Sequence, residues 1–331
     1  MKLSDKRILF IAPAFFGYED KIVEKLLELG AEVDFFDERS IKSSFAKAIL
    51  KLNPQFFHKR SMGYYNLIIQ NISKMRYDFV FVIKCEMMPI EIIIKLKSIF
   101  FEANFCLYLY DSLKNIKGIE KKLNYFDRVL SFDMEDTIRN SNLIFRPLFY
   151  IDDFKRTLNK QKEYEYDFCF IGTIHSDRYR VIKKIKDIAD KNNFKYFFYC
   201  YLQSKFIYYF YKITKKEFKG TNIVDFEFNK IQSRRIADVI NKTRVVLDVQ
   251  HPKQTGLTMR TIEMIGMHKK LITTNQSIKN YDFYNYNNIA IIDRNVVKIP
   301  EGFFDKPYTE IENAIYNKYS IENWIIDVLG V

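Results

Sequence analysis

The chain has 331 residues, about twice the usual length of one domain, so the length predicts two domains and excludes a single small binding module. Hydrophobic residues make up 48% of the chain and charged residues 28%, a globular composition that excludes wholesale disorder. The 53 lysines and arginines outnumber the 41 acidic residues, and the net charge of +12 favours anionic partners: nucleic acid, a membrane surface or a phosphorylated substrate.

In chain order, the first part alternates short β-rich runs with segments of helical periodicity, the pattern of a parallel α/β sheet. The predicted strands cover 7–12, 32–36, 79–83, 105–110 and 128–132, and the predicted helices cover 20–29, 64–74 and 89–99. The run at 79–83 has no polar alternation, so we expect a strand that is buried on both faces.

The pattern restarts after a polar, charge-rich stretch at 152–165, where we place a linker. The predicted strands are 168–171, 194–199, 223–226, 245–249, 270–274 and 290–292, and the predicted helices are 179–189, 232–242 and 258–267. The tail at 308–329 has the pattern of an amphipathic helix. We therefore predict an α/β protein with two Rossmann-like domains facing a cleft, 1–153 and 154–307, and a C-terminal helix at 308–331 that returns to the first domain.

The cysteines are widely separated, and each lies in or beside an apolar run, so we expect buried reduced thiols: Cys85, Cys106, Cys169 and Cys200. The apolar stretch that begins at Ile8 is too short for a signal sequence, and no run approaches about 18 uninterrupted apolar residues. These observations predict a cytoplasmic protein.

Open parallel sheets bind ligands beyond the carboxyl ends of their strands, and two loops of the second half carry suitable residues there. In the first loop, Gly172 allows the backbone to approach a ligand closely, and Thr173, His175 and Arg178 are candidates to reach an anion. An ordinary surface position is an equally good interpretation of His175.

The second loop leads into the helix predicted at 258–267. Gly256 leaves space for a phosphate, and Thr258 is a plausible N-cap of that helix. The free amides and positive dipole at the helix start attract a diphosphate, to which Arg260 adds charge-assisted hydrogen bonds. Glu263 lies on nearly the same face and can accept hydrogen bonds from a ribose. On spacing alone, an Arg260–Glu263 ion pair on a solvated face is an equally good interpretation.

The residues at 254–275, QTGLTMRTIEMIGMHKKLITTN, resemble the nucleotide-binding helix of glycosyltransferases with the B-type fold. The similarity is closest to capsule, O-antigen and lipopolysaccharide-core enzymes and their spore-maturation relatives. The segments at 108–115 and 278–284 are also similar to the polysaccharide-biosynthesis subset. The resemblance implies a donor-binding loop made of Gln254, Thr255, Gly256, Leu257, Thr258, Arg260 and Glu263.

In that family a spaced pair of glutamates faces the donor, and the second glutamate binds the ribose. Glu263 stands at the second position, but Thr255 stands at the first, which disfavours a retaining mechanism of the usual kind. The resemblance implies transfer of a sugar from a nucleotide sugar on the second domain to a cell-surface glycan acceptor, or its lipid-linked form, on the first. Helix dipole and cationic side chains would stabilise the leaving diphosphate, so no metal or other cofactor is expected.

An inverting transfer needs a base in the first domain to deprotonate the acceptor. We prefer Asp111, at the end of a predicted strand, with Glu86 and Asp133 as alternatives, although an Asp-Ser pair after a strand more often forms a turn or cap. Gly17, in the loop after the first strand, is a weaker candidate to line the cleft.

The segment at 201–220 is basic and aromatic, with five lysines and, after Tyr201, six Phe and Tyr residues. Such a helix would lie in a bilayer interface or, as a slightly better interpretation, pack on its own domain with a solvated lysine edge. The lysines assigned to an anionic membrane are Lys205, Lys212, Lys215, Lys216 and Lys219.

Three other classes compete with a hexosyltransferase-like enzyme. A catalytically silent nucleotide-sugar binder has the same sequence signature. A nucleic-acid binder explains the charge, but the lysines are dispersed and no recognised motif is present. A Rossmann dehydrogenase would need GxGxxG after the first strand, which is missing. We expect a cytoplasmic transferase, with peripheral attachment to the inner membrane face as a further hypothesis.

Overall fold

The computed structural model describes residues 2–14, 16–39, 54–156, 163–252 and 254–331, with only the helical backbone at 54–57. The chain forms two compact units, Met1–Pro147 with Ile321–Val331, and Leu148–Ser320. The unit limits at 147 and 320 lie near the predicted domain limits at 153 and 307. Each unit is built on a parallel sheet, which confirms the prediction of two α/β domains.

The first unit contains a six-stranded sheet. Its strands are β1 (Arg7–Ala12), β2 (Glu32–Asp37), β3 (Phe79–Ile83), β4 (Asn104–Leu109), β5 (Arg128–Ser131) and β6 (Ile144–Phe145). Its helices include α1 (Tyr18–Glu28), α2 (Pro54–Ile72), α3 (Ile90–Ile99) and α4 (Met134–Arg139). The strand order is β2-β1-β3-β4-β5-β6 with parallel neighbours, and β3 is buried on both faces as predicted.

The second unit contains a five-stranded sheet. Its strands are β7 (Tyr166–Thr173), β8 (Tyr196–Tyr201), β9 (Thr243–Asp248), β10 (Lys270–Thr273) and β11 (Ile289–Ile291). Its helices include α5 (Arg178–Lys191), α6 (Lys205–Thr214), α7 (Ser233–Asn241), α8 (Met259–Gly266) and α9 (Asn313–Lys318). The order is β11-β10-β9-β7-β8, again with parallel neighbours.

The two sheets share one connectivity. In each, the first strand lies between the second and the third, so β1 separates β2 from β3, and β7 separates β8 from β9. The chain leaves the first strand toward one side and returns on the other. A crevice therefore opens beyond the carboxyl ends of the first and third strands, where such sheets bind ligands.

The C-terminal tail forms two helices instead of the single predicted one. The first is α9, and the second is α10 (Ile321–Leu329). They are separated at Tyr319 and Ser320, because Tyr150 N donates to Tyr319 O at 2.8 Å and Tyr150 forms an isolated bridge with Ser320. Of the tail predicted to return to the first domain, only the part from Ile321 onward belongs to the first unit, and α9 belongs to the second. In α10 the fully buried Trp324 packs against Tyr108 with ring centroids 4.8 Å apart.

The strand predicted at 223–226 is wrong. Ile223–Asp225 forms a 3₁₀ turn, because the side chains of Asn222 and Asp225 bond to the local backbone. Asn222 Oδ1 accepts from Val224 N at 3.3 Å, and Asp225 Oδ2 accepts from Asn222 N at 3.1 Å. This capping box satisfies amides that a strand would offer to a neighbour.

The four cysteines are buried free thiols, as expected. Burial raises the pKa of Cys85 to about 12 and that of Cys169 to about 11, so both stay protonated at neutral pH. Within the described ranges, no helix is both long and apolar enough to span a bilayer.

Gly266 lets helix α8 pack closely against the segment that precedes β7. A Cβ atom at this position would lie 2.4 Å from Phe154 O and 2.6 Å from Tyr150 Cγ. Because a carbonyl oxygen and a buried ring cannot both yield cheaply, only glycine fits here.

We predict that Gly266→Ala lowers the free energy of unfolding by about 1–3 kcal/mol, the usual cost of overpacking. Urea unfolding followed by circular dichroism should show a lower midpoint. The matched control is Gly63→Ala in α2, where a Cβ meets nothing within 4 Å. That substitution should leave stability unchanged or raise it, since alanine favours helix. Equal midpoints for wild type and Gly266→Ala would contradict the close-packing argument.

Candidate functional site

The two loops that carry the predicted donor residues lie side by side in the second unit. They leave β7 and β9, which are adjacent parallel strands with Phe168 opposite Val245. These strands flank the crevice that the connectivity opens. The structure therefore brings the residues of the first loop together with the start of helix α8.

Arg178 connects the two loops through hydrogen bonds to the backbone at the end of each strand. Its Nε donates to Val249 O at 2.6 Å, and its Nη1 donates to Thr173 O at 2.7 Å. Burial lowers the pKa of Arg178 to about 10, and the Asp248 carboxylate opposes this shift, so the guanidinium stays charged at neutral pH. The side chain that was predicted to reach an anion therefore has two donors committed to the carboxyl ends of the sheet.

Arg294, to which the sequence assigned no role, makes a second connection. Its Nη1 donates to Asp177 Oδ1 at 2.8 Å, and its Nη2 donates to Gln250 O at 2.5 Å. Asp177 precedes α5 and Gln250 follows β9, so this arginine also spans both loops. Such bonds preorganise the loops, because they satisfy carbonyls that would otherwise depend on water.

His175 lies against His251, with ring centroids 5.4 Å apart. Burial, together with the nearby charges of Arg178, His251 and Lys215, lowers the pKa of His175 to about 3. The imidazole is therefore neutral at pH 7. It can offer an N–H hydrogen bond to a diphosphate but no positive charge.

Thr258 caps helix α8, as predicted, with its Oγ1 accepting from Thr261 N at 3.2 Å. The same hydroxyl donates to Asp248 Oδ2 at 2.7 Å, and Thr261 Oγ1 donates to that oxygen at 2.8 Å. Asp248 is the buried last residue of β9, and its charge complements the positive helix start. The Thr258 hydroxyl proton is thus already used, so a phosphate would depend on backbone amides.

Asn275 holds the loop that precedes the helix. Its Nδ2 donates to Thr255 O at 3.2 Å and to Gly256 O at 3.4 Å. Gly256 and Leu257 are buried, whereas Gln254 and Thr255 are half-buried. Asn275 therefore fixes the backbone of this loop, and Gln254 and Thr255 remain accessible to solvent.

Arg260 and Glu263 form an ion pair, with Arg260 Nη1 at 2.5 Å from Glu263 Oε2. The pair does not lie on a solvated face, because only 15% of the Arg260 side chain and 3% of the Glu263 side chain are exposed. The Arg260 guanidinium also lies 5.9 Å from the centre of the Phe154 ring. A ribose that binds Glu263 would share this carboxylate with Arg260.

Two of the three candidate bases in the first unit converge on one lysine. Lys84 Nζ lies 3.0 Å from Glu86 Oε2 and 3.9 Å from Asp111 Oδ2. Asp111 Oδ1 also accepts from Ser112 N at 3.0 Å and from Asn115 Nδ2 at 2.8 Å, so Asp111 serves as a local cap as well. Both carboxylates are accessible to solvent.

Asp133, the third candidate, is buried. Its Oδ2 accepts from Ser112 Oγ at 2.5 Å, and its Oδ1 accepts from Glu135 N at 3.1 Å as the N-cap of α4. With 1% of its surface exposed, the Asp133 carboxylate is committed to hydrogen bonds within the fold, in contrast to the accessible Asp111 and Glu86.

The sequence reasoning missed the groups that hold the loop carrying Glu86. Lys84 and Cys85 have positive φ angles of 72° and 56°, which is strained backbone for residues with side chains. The buried Lys122 donates to Cys85 O at 2.7 Å and Glu86 O at 3.2 Å, and Glu38 Oε1 accepts from Met87 N at 2.7 Å. In the sequence, the only feature that could have indicated this role for Glu38 is its position as a charged residue directly after β2.

Gly17 is the left-handed N-cap of α1, with φ of 80°, in the loop after β1. The loop therefore needs glycine for its conformation. Phe15, in the same loop, lies outside the described residues.

The five lysines assigned to a membrane have different surroundings. Lys205, Lys212, Lys216 and Lys219 are exposed, and Lys215 is half-buried. Lys212 Nζ donates to Thr221 O at 3.1 Å, and Lys215 Nζ lies 3.9 Å from the centre of the Tyr211 ring. Two of the lysines are thus engaged with the second unit itself.

In the part of the chain that the structure describes, no three His, Cys, Asp or Glu side chains are grouped to hold a metal ion. Metal independence remains a prediction.

The two-unit architecture is the B-type glycosyltransferase fold. Among solved structures, the chain is similar to the Anabaena protein Alr3699/HepE in complex with UDP and glucose, with a TM-score of 0.58 at 10% identity over 98% of this chain and 99% of that one. It is also similar to the lipopolysaccharide outer core galactosyltransferase WaaB, with a TM-score of 0.50 at 12% identity over 98% and 99%.

The UDP-GlcNAc 2-epimerase from Methanocaldococcus jannaschii shares the same fold, with a TM-score of 0.53 at 8% identity over 98% of this chain and 99% of that one. No protein-family model matches the chain. No curated protein matches its sequence.

Burial raises the pKa of Glu38 from 4.5 to about 7. The folded chain therefore binds a proton more tightly than the unfolded chain does. The free energy of unfolding should fall as pH rises from about 4.5 through 7, by roughly 1.4 kcal/mol per unit of pKa difference. Glu38→Gln keeps an acceptor for Met87 N and should remove this part of the pH dependence.

Urea unfolding at pH 5, 6, 7 and 8 measures the effect as the stability difference between variant and wild type. That difference should grow with pH in favour of Gln. Exposed Glu301→Gln is the control and should give a constant difference. A constant difference for Glu38→Gln as well would refute the raised pKa.

Proposed function

We propose that this protein is a glycosyltransferase that moves a sugar from a nucleotide-sugar donor to a cell-surface glycan acceptor. One observation carries the proposal. The carboxyl end of β7, the loop that follows β9 and the start of helix α8 converge at the crevice between β7 and β9. Such a helix start binds phosphate through backbone amides. Neighbours solved with UDP or UDP-sugar on the same fold favour a uridine donor.

In this proposal the donor diphosphate lies at the amides that follow Gly256. Gly172 lies within β7, next to its last residue and not in the predicted loop, and lets the backbone at that strand end approach the diphosphate. The neutral His175 donates one hydrogen bond. Arg260 supplies positive charge to the leaving diphosphate, and Glu263 accepts from the ribose. Arg178 and Arg294 position the loops, and Arg178 remains a candidate to reach the diphosphate with its other N–H groups.

The first unit supplies the acceptor base, Asp111 or Glu86, beside Lys84. The carboxylate takes the proton of the acceptor hydroxyl, and that oxygen forms a bond to the anomeric carbon of the donor sugar. The bond from that carbon to the diphosphate breaks, and the nucleoside diphosphate leaves with the electron pair. Attack from the opposite face inverts the anomeric centre. No metal or cofactor takes part in this scheme.

The acceptor is proposed to be capsule, O-antigen or lipopolysaccharide, free or lipid-linked, and the resemblance at 254–275 supports that choice. The spore-maturation relationship stays part of the same proposal. A cytoplasmic placement at the inner membrane face suits a lipid-linked acceptor. A catalytically silent nucleotide-sugar binder would show donor binding without turnover.

A UDP-GlcNAc 2-epimerase is the second candidate, because proteins of that name share the fold at TM-scores of 0.53 and 0.52. Incubation with UDP-GlcNAc alone, followed by separation of the C2 epimers, distinguishes the two. A transferase leaves the donor unchanged at C2 and releases nucleoside diphosphate only with an acceptor.

Glu263→Gln should weaken donor binding by about tenfold to a hundredfold, the worth of a charged hydrogen bond. A thermal-shift screen of UDP, GDP, CDP, ADP and TDP forms selects the nucleotide, and calorimetry measures its affinity. The matched control is Glu165→Gln, because Glu165 pairs with Lys242 at 2.8 Å but lies at the amino end of β7. Unchanged affinity in Glu263→Gln would remove Glu263 from the site, and a flat screen would contradict the proposed function.

Asp111→Asn should slow turnover by about a hundredfold or more, since a general base contributes at least that much, while donor affinity stays unchanged. Release of nucleoside diphosphate is followed with a panel of capsule, O-antigen and lipopolysaccharide-core oligosaccharides. Glu86→Gln is the matched comparison, because Glu86 contacts the same lysine. If Glu86→Gln loses turnover and Asp111→Asn keeps it, the base is Glu86. Full activity in both variants argues against both carboxylates.

A further inference from the structure

Helix α6 presents an apolar stripe to solvent. Its members recur at the spacing of one helix face, and their exposed fractions are 78% for Phe206, 55% for Tyr209, 54% for Phe210 and 82% for Ile213. Isolated exposed apolar residues are common on protein surfaces, but four on one short helix form a contiguous patch. We call these four side chains the α6 stripe.

The stripe is held in place by the opposite face of the same helix. Tyr208 is buried, and its hydroxyl donates to Thr221 O at 3.0 Å, while Ile207 and Tyr211 pack against the core of the second unit. Ser204 caps the helix start by accepting from Ile207 N at 3.3 Å. The helix is therefore anchored, and its outward side chains extend from a fixed base.

The sequence of this segment is compatible with two roles, a membrane surface or a helix packed on its own domain with a solvated lysine edge. The structure separates the roles differently. The inner face packs on the domain, and the outer face exposes aromatic and aliphatic side chains together with lysines. A solvated lysine edge alone does not explain why apolar side chains are exposed on this outer face.

The charges around the stripe fit an anionic partner. Lys205 lies at the helix start, Lys216 and Lys219 follow its end, and all three are exposed. Between 201 and 220 the sequence contains one acidic residue, Glu217. A tyrosine within the stripe adds a hydroxyl at the level where an apolar ring meets polar headgroups.

The size and shape of the patch favour a bilayer over a protein partner. At 150–250 Å² for a whole aromatic side chain, the four residues expose on the order of 500 Å². A stable protein interface buries about 800 Å² on each partner. Side chains that project from a convex helix also need no matching pocket when they enter a soft headgroup layer.

We infer that the α6 stripe inserts into the interfacial layer of an anionic membrane, with Lys205, Lys216 and Lys219 selecting anionic lipid. The apolar side chains supply most of the affinity, and the lysines set the lipid preference. The inference extends the proposed function by naming the surface that holds the enzyme beside a lipid-linked acceptor. Membrane binding does not depend on donor binding, so its test can fail while the proposed function holds, and the reverse is also true.

The test uses the full chain and vesicles of phosphatidylcholine with or without phosphatidylglycerol, in co-sedimentation without nucleotide. The double variant Phe206→Ser/Ile213→Ser should lower partitioning onto anionic vesicles by about tenfold or more. Replacing Lys205, Lys216 and Lys219 by Gln should reduce the preference for anionic over neutral vesicles, with residual binding that survives high salt.

The matched control is Phe101→Ser/Ile138→Ser, which removes two equally exposed apolar side chains, 79% and 77%, from the first unit. It should leave partitioning unchanged. Circular dichroism should show native folding in all variants, since every replaced side chain is exposed. Equal partitioning of wild type and the Phe206→Ser/Ile213→Ser variant overturns the inference, as does a concentration-dependent dimer in gel filtration that the same variant dissociates.

Discussion

The connectivity of a parallel sheet determines where this protein can bind a ligand. When the first strand lies between the second and the third, successive connections diverge, and the carboxyl ends of the first and third strands remain open. Both units obey this constraint. Among the accessible candidate residues, Glu86 lies on the loop after β3 in one unit, and Gln254 and Thr255 lie on the loop after β9 in the other.

An opening of this kind exposes backbone carbonyls, and both units satisfy them with charged side chains that are buried or half-buried. In the second unit, two arginines donate to the strand ends and fix the loops against each other. In the first, Lys122 does the same for a loop with two strained residues. These groups stabilise the shape of the loops, because they donate to backbone carbonyls and, through Arg294, to the Asp177 carboxylate.

Much of the fold follows from periodicity in the sequence, and the bounds of β1 and β3 agree with it residue by residue. Local sequence patterns did not predict the surroundings of a side chain whose hydrogen-bond partner lies far away in the sequence. Asp133 has the sequence features of a strand-end carboxylate, but Ser112, 21 positions away, helps to bury it. Glu38 acts through Met87, 49 positions away. At 223–226 the apolar residues predicted a strand, and flanking Asn and Asp side chains overrode them.

The charge of Lys215 links two parts of the second unit. This residue directly follows helix α6, and its charge contributes to the lowered pKa of His175 in the donor loop. Under the two proposals made above, this lysine lies between a helix that would bind a bilayer and a loop that would bind a diphosphate. Thermodynamic reciprocity then requires that any gain in donor affinity caused by a bilayer equals the gain in bilayer affinity caused by the donor. A favourable coupling of this kind would make the fraction of the enzyme held at the membrane rise with the supply of activated sugar.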